Sequence, residues 1–131
     1  MRLFDSNRHT LLAQSFVLAV LLLTATRTFA AGDAGAGEKV FSRCAACHAT
    51  EAGANKIGPS LAGVVGRKAG AVPGFKYSPA LASANITWDE TSLDKFLQNP
   101  TGLVHGTQMF TNVPSADDRQ NVIAYLESLV R

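Results

Sequence analysis

Cys44-Ala45-Ala46-Cys47-His48 constrains this chain more than any other stretch of its 131 residues. Residues three apart on a helical turn face the same way, so both thiols can reach one edge of a flat ligand. The imidazole follows at once. This is the C-x-x-C-H pattern for covalent attachment of a c-type haem, whose two vinyl groups lie along one porphyrin edge. Three other readings compete: a zinc half-site, a thioredoxin-like redox pair and a structural disulfide. A zinc site needs four ligands, and beyond the N-terminal segment the usual soft donors are Cys44, Cys47, His48 and His105. A thioredoxin motif belongs in a βαβ context, and no such alternation follows here.

The N-terminus carries Arg2 and Arg8, then an uncharged, largely apolar run from Thr10 to Thr26. Thr28 and Ala30 are spaced like a signal-peptidase site, the layout of a secretory leader. The expected division is a signal peptide over residues 1–30, cut after Ala30, and one small domain over residues 31–131. The competing reading is an uncleaved anchor, for which the run is short and interrupted by Gln14 and Ser15. Export to the periplasm suits the pentapeptide, because c-type haem is generally attached outside the bacterial cytoplasm.

Subtraction narrows the iron chemistry. Of the two methionines, Met1 is the initiator, which leaves Met109 to the mature domain. His9 lies in the leader, which leaves His48 and His105. A strong sixth protein ligand would therefore come from Met109 or His105. A lone methionine is more often a core gap-filler.

The rest of the chain reads as all-α. Asp33 is placed to cap a first helix running to about Cys47, with Val40 and Phe41 on its apolar face. Glu51 to Tyr77 is rich in Gly and Pro and reads as loops. Pro79 opens a short helix through Ala84. Thr87-Trp88-Asp89-Glu90 has the form of a capping box before a helix that turns Leu93, Phe96 and Leu97 inward and ends at Asn99-Pro100. A further loop carries Met109. Ser115 is placed to cap a last helix from Ala116 to Leu129, with Val122, Ile123, Leu126 and Leu129 at helical spacing. Loops this long are unusual in so small a domain; a large apolar cofactor would supply the core they lack.

With these landmarks in order, residues 37 to 129 resemble a class I cytochrome c of the mitochondrial cytochrome c and bacterial cytochrome c2 group. The resemblance rests on Gly37, Phe41, the Cys44–His48 pentapeptide, Gly58-Pro59-Ser60-Leu61, Gly66-Arg67-Lys68, Pro73-Gly74-Phe75-Lys76-Tyr77, Ile86-Thr87-Trp88, Asn99-Pro100, Gly106-Thr107-Gln108-Met109 and Ile123-Ala124-Tyr125-Leu126. It implies an all-α fold wrapped around one covalent haem c, with Cys44 and Cys47 as thioethers and His48 and Met109 as the iron ligands. It also implies that the Pro59 carbonyl meets the other imidazole nitrogen, and that Arg67, Tyr77, Trp88 and Thr107 surround the haem propionates. His105 falls where a loop proline is common, and reads as a loop residue. Phe96 stands where tyrosine is frequent, and Phe110 follows Met109 directly, one residue earlier than the usual aromatic.

An iron with both axial positions filled suits electron transfer rather than oxygen activation. No nucleotide-binding glycine motif or second cofactor motif suggests an enzyme. The implied function is a periplasmic electron carrier, a monomer meeting redox proteins such as a membrane oxidase, a bc1-type complex or a dehydrogenase, and not nucleic acid. It meets a membrane only through those partners or an uncleaved leader. The alternative is a dedicated cytochrome subunit of a periplasmic dehydrogenase; a ligand sensor or peroxidase would require the Met109 bond to be weak or absent. Of 12 Lys plus Arg and 10 Asp plus Glu, the leader holds Arg2, Arg8, Arg27 and Asp5, leaving nine of each sign. The charge is nonetheless uneven: Lys56, Arg67, Lys68 and Lys76 stand without an acid between Ala52 and Trp88. Around Met109, Gln108, Thr101 and Gly102 replace the lysines of mitochondrial-type cytochromes, so long-range steering is expected to be modest.

Overall fold

A computed structural model describes residues 31–129; the expected leader lies outside the described residues. Five helices follow in order: α1 (Ala34–Phe41), α2 (Pro79–Ala82), α3 (Glu90–Gln98), α4 (Pro100–Leu103) and α5 (Ala116–Ser128). Among the described residues the extended structure is one isolated antiparallel bridge, Lys68 to Thr87. The all-α expectation therefore stands.

The first and last helices pack against each other, and glycine makes the approach possible. A Cβ on Gly37 would collide with the Asn121 carbonyl of α5. The crossing is tied by the Asp33 N–H, which donates to Asn121 Oδ1 at 2.8 Å, while Asp33 Oδ1 accepts from Ala36 N–H and caps α1. Phe41 and Tyr125 meet across it with ring centroids 5.3 Å apart and ring planes tilted by 50°. Gly37→Val forces the two backbones apart, and the expected cost is about 3 kcal/mol. A urea melt of the holoprotein measures it; an unchanged midpoint would mean that the helices do not cross at Gly37.

The helix of α1 is shorter than expected. It stops at Phe41, and residues 42–47 continue as turns. Ser42 Oγ donates to the Lys39 carbonyl at 2.8 Å, a local bond that competes with the helix ladder. Further on, the Cys47 carbonyl accepts from Gly58 N–H and the Ala45 carbonyl from Lys56 Nζ, so neither serves a continuing helix.

Residues 42–78 hold no helix. Part of this long loop is anchored beside Trp88: Gly66 N–H donates to the Trp88 carbonyl at 2.7 Å and Trp88 N–H to the Arg67 carbonyl at 2.9 Å. Gly66 takes φ +82°, a conformation that costs a side-chain-bearing residue free energy. Helix α2 ends at Ala82, short of the expected Ala84, and Ser83 Oγ turns back to the Pro79 carbonyl.

The capping box of α3 is shifted two residues from expectation. Asp89, not Thr87, is the cap: its Oδ1 accepts from Ser92 N–H at 2.7 Å, and Ser92 Oγ accepts from Asp89 N–H at 2.9 Å. Leu93, Phe96 and Leu97 are buried as expected. Asn99 ends α3 and at once caps α4, accepting from Gly102 N–H at 3.0 Å. Helix α4 was not foreseen; four residues beginning with a proline are too short to show a period. Ser115 caps α5 as expected, accepting from Asp118 N–H.

Candidate functional site

The Cys44–His48 turn is built by bonds from Cys44 N–H and Ala45 N–H to the Phe41 carbonyl and from Cys47 N–H and His48 N–H to the Cys44 carbonyl, all between 2.7 and 3.0 Å. Cys44, Cys47 and His48 are half-buried, and no disulfide joins the thiols. Burial pushes the Cys44 thiol above its ordinary pKa, against a smaller opposing effect of Arg43. That is contrary to the lowered thiol of a thioredoxin-like pair. Among the described residues, no three of His, Cys, Asp and Glu gather as a zinc site requires.

His48 is oriented by its neighbours. Its Nδ1 lies 2.8 Å from the Pro59 carbonyl, and a carbonyl can only accept. Nδ1 therefore carries the proton, which leaves the Nε2 lone pair for a metal. Burial lowers the imidazole pKa, with the Pro59 bond acting the other way, so the neutral form is favoured. Gly58 lies flat against the ring; a Cβ there would collide with it.

All nine residues expected at the site line one cavity of about 410 Å³: Cys44, Cys47 and His48 from the first turn, Pro59, Arg67 and Tyr77 from the long loop, Trp88 before α3, and Thr107 and Met109 after α4. The remaining wall is largely apolar, including Leu93, Phe96, Leu97 and Val122. Such a cavity, with few polar groups in an apolar wall, is of a size that holds a cofactor. Two thiols, a neutral imidazole with one free lone pair and a thioether border it, a set of donors that fits a covalently attached, iron-bound porphyrin.

The polar residues of the wall are themselves held. Two terminal nitrogens of Arg67 donate to the carbonyls of Ala62 and Ser60 at 2.8 and 2.9 Å. The Tyr77 hydroxyl accepts from Val72 N–H, leaving its own proton to donate. Thr107 is buried and its Oγ1 accepts from Met109 N–H at 3.3 Å. Trp88 packs against Phe96 with ring centroids 5.0 Å apart while it also lines the cavity. His105 is exposed in a turn and does not line the cavity.

The sequence reading missed Ser78 and Ile57 as lining residues. Ser78 is buried and caps α2 with its hydroxyl; serine directly before Pro79 was the signal available. Ile57 is 82% and Phe110 76% exposed, and no periodicity marks an isolated apolar loop residue.

Known proteins resemble this chain in sequence and in fold. The cytochrome c family model matches residues 34–130. The chain is 51% identical over 90 residues to cytochrome c2 iso-2 of Magnetospirillum fulvum, covering 68% of this chain and 94% of that protein. It is 43% identical over 112 residues to cytochrome c2 of Rhodomicrobium vannielii, covering 84% and 90%. The solved structure of cytochrome cH from Methylobacterium extorquens is 42% identical and superposes with a TM-score of 0.70, covering 74% of this chain and 99% of that one. From the match, the fold and a site whose Cys44 and Cys47 fit the attachment motif, the chain belongs to the class I cytochromes c, all-α electron carriers with one covalently attached haem c.

Proposed function

We propose that this protein is a periplasmic electron-transfer protein whose iron is held by His48 and Met109. The observation that carries the reading is the meeting, in one cavity, of a His48 whose Nδ1 is committed to Pro59 and the sole methionine of residues 31–131. When bound, haem c supplies a one-electron ferric–ferrous couple. The chain holds and tunes it. Cys44 and Cys47 anchor the porphyrin edge, and the Pro59 carbonyl fixes the imidazole and raises its basicity. The Met109 sulfur favours the reduced iron. Tyr77, Trp88 and Thr107 supply donors for the propionates, and Arg67 brings its positive charge to the cavity wall. The largely apolar wall would limit the polar groups that must reorganise at each electron transfer.

A redox titration should follow a single one-electron step, about 59 mV per tenfold change in the ratio of the two forms. Binding of added ligands without displacement of an axial group would instead indicate a sensor or a peroxidase.

Partner contact follows from the same surface. The exposed Ile57 and Phe110 both line the cavity, while the lysines Lys56, Lys68 and Lys76 are exposed on the loop side. Lys56 is partly engaged, its Nζ donating to the Ala45 carbonyl at 2.9 Å. With equal numbers of charges of each sign in residues 31–131, and screening over about 8 Å at physiological salt, only charges close to the contact matter. Electron-transfer rates with a natural partner should fall only weakly as salt is added, in a stopped-flow series that includes Lys76→Glu. A steep dependence that disappears in Lys76→Glu would show docking steered by that patch. A complex that survives purification would favour the dedicated-subunit alternative.

A further inference from the structure

Arg119 lies on α5 with 6% of its surface exposed. A buried guanidinium is costly unless it is paired and hydrogen-bonded. Its Nε donates to Oδ1 of Asp94, on α3, at 2.7 Å. Its Nη1 donates to the carbonyls of Val113 and Pro114 at 3.0 and 2.8 Å. Asp94 Oδ1 also accepts from Gln120 Nε2 at 3.4 Å.

Those two carbonyls close the loop that leaves α4 and carries Met109. The same loop end is tied to α3 by Val113 N–H, which donates to the Leu97 carbonyl at 2.7 Å, and the Val113 side chain is buried. At the opening end, Val104 is buried and its carbonyl accepts from Thr107 N–H. Between Thr107 and Val113 the side chains of Gln108, Phe110, Thr111 and Asn112 are exposed, and Met109 alone turns partly inward. The thioether's place therefore depends on the two pinned ends of the loop together with Met109's own contacts, its N–H on Thr107 Oγ1 and its side chain against the core. Opening the closing end would strip a buried guanidinium of two acceptors. Arg119 itself does not line the cavity, so any effect on the iron runs through the loop.

We propose that Arg119, held by Asp94, is the positioning residue for Met109: it fastens the closing end of the Met109 loop to α3 and α5 and so sets how readily the thioether leaves the haem iron. This rests on the reading of Met109 as sixth ligand. A competing ligand binds only the fraction of molecules whose loop has opened, so its apparent affinity reports that fraction.

The test uses the ferric holoprotein, titrated with imidazole while the weak far-red band of sulfur–iron ligation is followed. Arg119→Leu should raise the apparent imidazole affinity on the order of tenfold. Arg119→Lys keeps the charge but loses the fork and should fall between it and the parent. Asp94→Asn should give a smaller rise in the same direction. Asp33→Ala, which uncaps α1 far along the chain from the loop, should lower thermal stability without changing the imidazole affinity. Should neither Arg119 variant mature, Asp94→Asn against Asp33→Ala decides. Parent-like affinity in the Arg119 and Asp94 variants, or an equal rise in Asp33→Ala, overturns the proposal. Persistence of the band in Met109→Ala overturns the ligand reading, and the proposal with it. Unchanged affinities in a protein whose band does depend on Met109 overturn the positioning role alone.

Discussion

Replacing Cys44 or Cys47 by alanine should abolish accumulation of the mature coloured protein, the largest effect expected of any single change here. The thiols leave one turn side by side, and the cofactor they anchor fills the cavity around which Leu93, Phe96, Leu97 and Val122 are arranged. A domain of this size, with a helix-free stretch over residues 42–78 and an apolar cavity bordered by its buried cluster, needs that ligand to complete its core. Binding free energy and folding free energy are then one quantity. The check is acid–acetone extraction: colour should stay with the parent protein, and haem passing into the solvent would contradict thioether attachment. Loss of maturation in both variants separates an anchoring role from mere packing, because alanine preserves most of the small apolar volume.

Met109→Ala should abolish the far-red band of the oxidised protein and lower the reduction potential. The thioether stabilises ferrous iron relative to harder ligands. Axial ligation spans about 0.8 V across haem proteins, so a shift on the order of 0.1 V is expected from its loss. His105→Ala should leave both band and potential in place, because His105 is exposed in a turn outside the cavity wall. Spectroelectrochemistry of the two variants measures both quantities together. A parent protein without the band, whose potential is unmoved in Met109→Ala but shifted in His105→Ala, would reverse the assignment.

The two variants differ in what they leave behind. Without Met109 the loop still has its pinned ends at Val104 and Val113, so the fold should persist with an altered iron. Without Cys44 or Cys47 the anchor itself is gone. Stability and spectrum should therefore separate in the first case and fail together in the second.

Much of the site was legible in the chain because its residues lie in short, dense motifs. Cys44, Cys47 and His48 share one turn, and Thr107 and Met109 are two apart. Helix α3 was legible from Leu93, Phe96 and Leu97, whose spacing survives burial unchanged. Its start was misread because Thr87 and Asp89 are both good caps; Asp89 won by finding Ser92 three residues on, and Ser92 Oγ then bonds the Thr87 carbonyl as well. Helix α1 was overextended because helical pattern continues into the pentapeptide. Gly58 and Lys56, distant in sequence, take the carbonyls that a longer helix would have used.

The sequence by itself determined the cofactor chemistry and the helical class. Covalent attachment needs two thiols and an imidazole at fixed short spacing, and amphipathic helices need apolar residues at a period of about 3.6; both are local conditions. Tertiary structure alone decided which partner each polar side chain takes. Arg119 reaches Asp94 across 25 positions, Asn121 reaches Asp33 across 88, and Arg67 turns to Ser60 and Ala62. Nothing in their spacing announces these pairs, because a buried donor takes whichever acceptor the packing of apolar neighbours brings within reach, and that choice is made by the folded chain as a whole.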